Sequence, residues 1–215
     1  MESHDHLFKV LIIGDTRVGK TSLVHRYVHE KFFKCYKNTV GVDFALKALT
    51  WSDTETVRLQ LWDIAGQERF TSMTRIYYKG ASGCVLMFDV TSTSSFHSCQ
   101  KWKEDLDSKV LQVDGNRVPC ILLANKCDLS PWQVSKEDVE TFSKTSGFIA
   151  WMETSVKDNR NIAESMRILA ENMMANQSAF GTPENQGTSF KLSSPVTAKV
   201  ANGDPCCSTM RNLVE

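Results

Sequence analysis

Gly14-Asp15-Thr16-Arg17-Val18-Gly19-Lys20-Thr21 lies between an apolar segment, Phe8 to Ile13, and a stretch of helical character that begins at Lys20. Two glycines with four residues between them, followed by Lys and Thr and set between a strand and a helix, form the pattern of a phosphate-binding P-loop. The loop turns backbone N–H groups inward and the helix after it presents its positive end. Lys20 adds a full charge, and Thr21 offers a hydroxyl to Mg²⁺. The occupant this chemistry asks for is a nucleoside triphosphate. Gly14, Thr16, Arg17, Val18, Gly19, Lys20, Thr21 and the adjoining Ser22 are therefore the first nucleotide-binding candidates.

The rest of the chain supplies the frame for such a loop. At 215 residues, 41% hydrophobic and 23% charged, it has enough apolar material for one substantial core. Basic and acidic residues balance at 25 each, without a long basic run, which excludes the electrostatic footprint of a nucleic-acid binder. No apolar run reaches the 18 or so residues of a membrane span, and the N-terminus lacks a signal peptide's apolar core. A cytosolic protein is the expectation. The seven cysteines are scattered, and Cys84 and Cys120 sit inside apolar runs where they read as small core residues.

Val10 to Ile13, Cys84 to Phe88 and Cys120 to Leu123 are short, continuous apolar runs, the mark of parallel strands covered on both faces. Phe96, Cys99, Trp102, Leu106 and Val110 fall at helical steps. A second helix is expected from Ser135, with Asp138 completing a capping pattern, Val139 and Phe142 inward and Gly147 as its stop. A third carries Ile162, Met166, Leu169 and Met173. Val42 to Thr50 and Thr56 to Trp62 read as a hairpin around Ser52-Asp53, and Phe148 to Met152 as a further strand. The order predicts an α/β fold: a six-stranded, mostly parallel sheet with one antiparallel strand and helices on both faces. Its domain covers residues 1–175. The Ser-, Thr-, Asn- and Pro-rich stretch 176–215, with the pair Cys206-Cys207, reads as a disordered tail.

A P-loop alone serves GTPases, ATPases and nucleotide kinases alike, so other motifs must choose. Trp62-Asp63-Ile64-Ala65-Gly66-Gln67 puts a carboxylate at a strand end, where Asp63 can hold Mg²⁺, Gly66 can bring its N–H to a γ-phosphate and Gln67 can orient an attacking water. Asn125-Lys126-Cys127-Asp128 follows a buried strand, at the sheet edge where ligands bind in open α/β folds. The Asp128 carboxylate suits the N1–H and 2-amino donors of guanine; adenine would leave it unpaired. Ser155-Val156-Lys157 offers backbone N–H groups for the guanine O6, though taken alone these residues also suit a plain loop.

In this order and at these separations the motifs resemble a Ras-type small GTPase over residues 7 to about 175. The match is nearer to the Rab family through Val40-Gly41-Val42-Asp43-Phe44, Gln67-Glu68-Arg69-Phe70 and Tyr77-Tyr78-Lys79-Gly80. Ile64, where most Rabs have Thr, resembles the Rab branch of lysosome-related organelles and the trans-Golgi network. The resemblance implies a GTP/GDP switch with Mg²⁺ held by Thr21, Thr39 and Asp63, with Gln67 as the catalytic residue. It implies Phe32 against the guanine edge, Tyr36 over the phosphates and Thr39 on the γ-phosphate. It further implies an effector surface of Phe44, Trp62 and Tyr77, the other reading being that these three are core. An exchange factor, an activating protein and effectors are the implied partners of a monomer serving vesicle or organelle trafficking on the cytosolic face of Golgi, endosomal or lysosome-related membranes.

Several positions depart from that pattern. Thr16 and Arg17 stand where Ras has glycine, and no arginine lies in 33–39, where an internal arginine finger would sit. By analogy, turnover on the order of 10⁻⁴ to 10⁻³ s⁻¹ is expected without a partner. The alternative is a nucleotide-bound scaffold with negligible hydrolysis. Cys206 and Cys207, the candidates for lipidation, are followed by eight residues, Ser208 to Glu215, where Rabs usually end almost at once. Thr71, Ser72 and Thr74 are either helix-capping hydroxyls or phosphorylation sites.

Overall fold

The computed structural model describes residues 4–32, 39–67, 74–110 and 115–179. Strand β1 (His4–Ile13) leads into α1 (Lys20–His29), then the hairpin β2 (Val42–Thr50) and β3 (Glu55–Ile64). There follow α2 (Thr74–Tyr78), β4 (Gly83–Asp89), α3 (Thr93–Lys109), β5 (Cys120–Asn125), α4 (Lys136–Thr145), β6 (Ala150–Thr154) and α5 (Ile162–Ala179). The strands form one six-stranded sheet in the order β2-β3-β1-β4-β5-β6. Only the β2–β3 pair is antiparallel.

The apolar runs divide between two cores because successive strand residues face opposite sides. Val10 and Ile12 of β1 join Val85, Ile121, α1 and α5 on one face. Leu11 and Ile13 join Leu86, Leu122, α3 and α4 on the other. All four of these β1 residues are fully buried, which is why the run does not alternate with polar residues. Each such side chain contributes about 1.5–3 kcal/mol on burial.

Local chemistry sets the helix ends. Ser92 caps α3 by accepting from the Ser95 N–H (3.3 Å), and Ser135 caps α4 by accepting from the Asp138 N–H (3.0 Å). Gly147, just after α4, takes the left-handed φ of 71° that stops it.

Several boundaries differ from the sequence reading; β3, for one, reaches Ile64 and not Trp62. β1 starts at His4, because Glu55–Arg58 extend beside its polar first residues. β6 lies two residues later than Phe148 to Met152, since Phe148 packs into the second core before the strand begins. Helix α5 continues to Ala179, four residues beyond the compositional boundary at 175. There the Gln177 side chain meets Nδ1 of His6 at 3.0 Å and ties polar residues to the sheet. The stretch 180–215, with Cys206 and Cys207, lies outside the described residues.

Candidate nucleotide site

The P-loop leaves β1 at its C-terminal end, beside β3 and β4. Gly14 has φ 136° and Gly19 φ 108°, in regions that L side chains rarely adopt. Space demands glycine as well: a Cβ on Gly14 would stand 2.2 Å from the Met87 carbonyl oxygen, and one on Gly19 2.4 Å from the Asn125 amide nitrogen. Arg17 bears a side chain at φ 63°, which accounts for the glycine that this position holds in Ras. Helix α1 begins without a side-chain cap and without an acidic residue in its first turn. Its first N–H groups and the positive end of its dipole therefore remain for an anion.

Lys20 is buried, and its ammonium donates to the carbonyl oxygens of Gly14 and Asp15, both at 2.8 Å. Burial lowers its pKa to about 8, against the opposing pull of Asp63 and Asp15. An anionic phosphate beside it would favour the charged form.

Thr21, Thr39 and Asp63 come together although they belong to three separate segments. The Thr21 hydroxyl lies 2.5 Å from Asp63 Oδ2 and 2.8 Å from the Thr39 hydroxyl, and Thr39 donates to the same carboxylate at 3.4 Å. The other carboxylate oxygen, Oδ1, is buried without a hydrogen-bond partner among the described residues. Burial raises the Asp63 pKa, and hydrogen bonds from Thr21 and Thr39 and the charge of Lys20 work against that rise. An orphaned buried carboxylate oxygen beside two hydroxyls fits a hard cation. Among the described residues no cluster of three His, Cys, Asp or Glu side chains offers a cage. An ion here would draw its remaining ligands from water and phosphate oxygens, a set that suits Mg²⁺.

Thr16, Arg17, Gly19 to Ser22, Thr39 and Gly66 to Gln67 line a cavity of about 180 Å³. Gly66 packs so tightly that a Cβ would stand 2.3 Å from the Thr16 backbone nitrogen, which joins the end of β3 to the P-loop. Gln67 is exposed on this rim. A second cavity, about 270 Å³, is lined by Phe32, Asn125, Lys126, Asp128, Val156 and Lys157, and it shares Arg17, Gly19 and Ser22 with the first. Many of the sequence candidates for phosphate and for base thus line two adjoining cavities, whereas Gly14, Val18, Asp63 and Ser155 are not in either lining.

Asn125 joins the two. Its buried side-chain amide donates to the Val18 carbonyl at 2.8 Å, and its Oδ1 accepts from the Thr154 hydroxyl and the Val156 N–H, each at 3.3 Å. Asp128 accepts from the Ser155 hydroxyl at 2.7 Å and pairs with Lys157 at 3.6 Å.

Three further residues hold this site. Asp89, at the end of β4, binds the Lys126 ammonium at 2.5 Å and accepts from the Thr91 N–H at 2.9 Å. Its burial favours the neutral acid, but Lys126 and Thr91 prevail and hold its pKa below the usual carboxylate value. Trp102 of α3 donates to the Asp15 carboxylate at 2.8 Å. Arg26 of α1 donates to the Val156 and Lys157 carbonyls at 3.0 and 2.9 Å. A carboxylate closing the buried run Gly83–Asp89 was a readable signal for the first; the other two span 87 to 131 residues and had none.

On the sheet face beside this site, Phe44 is 54% exposed, while Trp62 and Tyr77 are half-buried and pack against the second core. Phe44 and Trp62 meet edge to face at 4.5 Å. The Lys9 ammonium lies 3.3 Å over the Trp62 ring and donates to the Lys79 carbonyl at 2.8 Å. Burial lowers the Lys9 pKa from 10.5 to about 8. Because the folded value is the lower one, folding disfavours the proton: it is held below about pH 8 and released as pH rises past it, while an unfolded chain keeps it to 10.5. Side-chain NMR of Lys9 is expected to titrate with a midpoint near pH 8, and a midpoint near 10.5 would reject this environment. Tyr36, Thr71 and Ser72 lie outside the described residues, as does the side chain of Thr74.

A P-loop between a buried strand and a helix, with Asn125 and Asp128 beyond a neighbouring parallel strand, defines the class of P-loop nucleotide-binding α/β domains. Residues 9–175 match the Ras family. Rab-7L1 of Homo sapiens is 66% identical over 176 residues, covering 82% of this chain and 87% of that protein. Rab-7L1 of Mus musculus is 59% identical over 208 residues, or 96% and 100% of the two chains. Rab-32 of Homo sapiens is 50% identical over 207 residues, or 96% and 92%. The chain belongs to the Ras family, among its Rab members. No helix among the described residues is long and apolar enough to cross a membrane.

Proposed function

We propose that this chain is a guanine-nucleotide switch that hydrolyses GTP to GDP and phosphate and engages effectors in its GTP state. The observation that carries the reading is the meeting of Thr39 with Thr21 and Asp63. Thr39 precedes β2 and belongs to the segment that leads onto the exposed Phe44 surface, so a γ-phosphate bound there would be felt at a surface other proteins touch. Retention and loss of that phosphate would switch this segment between two states.

Lys20 and the N–H groups at the start of α1 neutralise the phosphates, and Asp128 with Ser155 to Lys157 selects guanine. Thr21, Thr39 and Asp63 would hold Mg²⁺, which withdraws charge from the phosphates. Gly66, against the P-loop backbone, supports the γ-phosphate, and Gln67 orients the attacking water. Because no arginine lies in 33–39, an activating protein supplies the missing positive charge and an exchange factor reloads the site. The trafficking role follows from the Rab relatives. Membrane attachment through Cys206 and Cys207, on Golgi, endosomal or lysosome-related membranes, is part of the same reading.

Arg17, a side chain at φ 63° lining both cavities, favours a second reading, a nucleotide-bound scaffold with negligible turnover. Thermal melting with GTP, GDP or ATP plus Mg²⁺, followed by phosphate release, separates the two. Stabilisation by guanine nucleotides alone, with slow release from GTP that falls at least tenfold in Gln67→Leu while GDP affinity is kept, is the expected result. No release from the unaltered protein would favour the scaffold, and stabilisation by ATP would refute both.

A further inference from the structure

The loop between β6 and α5 is held by its own bonds. Ser155 and Arg160 exchange backbone hydrogen bonds at 3.2 and 2.9 Å, and the Asp158 N–H binds the Ser155 hydroxyl at 3.0 Å. With the Val156 N–H on Asn125 at 3.3 Å, each of these N–H groups has a partner, and the Lys157 N–H is the loop's remaining donor beside the base-side cavity. That N–H shares one peptide unit with the Val156 carbonyl. A trans peptide is planar, so whatever grips the carbonyl points the N–H the opposite way.

The grip comes from Arg26. Its Nε donates to Val156 O, one terminal nitrogen to Lys157 O and the other to Glu30 O, at 3.0, 2.9 and 3.0 Å. A planar guanidinium fixes two consecutive carbonyls in a way that a point charge does not. We propose that Arg26 is a positioning residue for base recognition: by holding the Val156 and Lys157 carbonyls it aims the Lys157 N–H at the O6 of guanine. The inference rests on the guanine reading above. Arg26 also lines a separate cavity of about 700 Å³ with Tyr27, Lys47, Trp51 and Arg167. The aim of the base loop is therefore set by a side chain that can be reached from outside the nucleotide site.

The test compares release of GDP with release of the diphosphate of 2-aminopurine riboside, which keeps the 2-amino donor but lacks O6 and, with it, the N1–H. In the unaltered protein GDP should dwell longer. Arg26→Ala should speed GDP release by about tenfold or more while changing release of the analogue less than twofold, because the analogue never used that N–H. Arg26→Lys, which keeps the charge and half-buried stem but not the fork, should fall between. Circular dichroism of both variants monitors the fold, and Arg26→Lys carries the comparison if Arg26→Ala does not fold. Equal acceleration of both ligands would reduce Arg26 to general support and overturn the proposal. An unaltered protein that holds both ligands equally would overturn the O6 contact itself, and with it this part of the guanine reading.

Discussion

Asp128→Asn is expected to lower GDP affinity by on the order of 10³-fold or more, while raising affinity for xanthosine diphosphate. The carboxylate presents two acceptors in a cavity that also holds Phe32 and Val156. Guanine meets them with two donors. In the variant one acceptor becomes an amide donor facing the 2-amino group, so two buried donors confront each other, and sites built on such hydrogen bonds discriminate by roughly 10⁴ to 10⁵. Xanthine carries a carbonyl at C2 and accepts what guanine cannot. The fold should be spared, since an Asn oxygen can still accept from the Ser155 hydroxyl that now lies 2.7 Å from Asp128. Competition between the two diphosphates for the purified variant measures the switch. GDP affinity within tenfold of the starting protein would show that Asp128 does not read the base.

Gly14→Ala should cost on the order of 3 kcal/mol of stability and abolish tight nucleotide binding. Two independent penalties meet there. The backbone sits at φ 136°, and the new Cβ would lie 2.2 Å from a carbonyl oxygen of Met87, a fully buried residue of β4 that has no room to retreat. For a domain of this size the melting temperature should drop by roughly 6–12 °C. Gly80→Ala isolates the first penalty, because its φ is 74° and nothing lies within 4 Å of the added carbon. It should lose only about 1 kcal/mol. Equal losses in the two variants would mean that the contact with Met87 does not constrain the loop.

Much of this was readable in advance because its signals are local. The run Val10 to Ile13 has no polar alternation because helices cover both faces of β1. Gly14 and Gly19 announce backbone angles, and Ser135 followed by Asp138 announces a helix start. The phosphate and base candidates were legible for the same reason, each lying in a short motif just past a strand. Reach across the chain was not legible. Nothing in the spacing of Trp102 says that its indole meets Asp15, or that Arg26 reaches a loop 130 residues away. Such contacts depend on which helix packs over which strand end, and side-chain type alone does not encode that. Composition also misplaced the end of α5, because polar Asn176 and Gln177 look like tail until His6 is brought beside them.

Asn125 gives the site a fixed gauge. One buried amide fastens Val18 in the phosphate loop to Val156 in the base loop, so the interval between the two cavities is bridged by three hydrogen bonds as well as by chain. A ligand is thereby measured for length as well as for chemistry. On the proposed reading, guanosine monophosphate at Asp128 would leave Lys20 without its phosphate partner, and inorganic pyrophosphate at Lys20 would leave Asp128 without a base. A molecule carrying a guanine at one end and at least two phosphates at the other is the occupant this calliper is expected to favour.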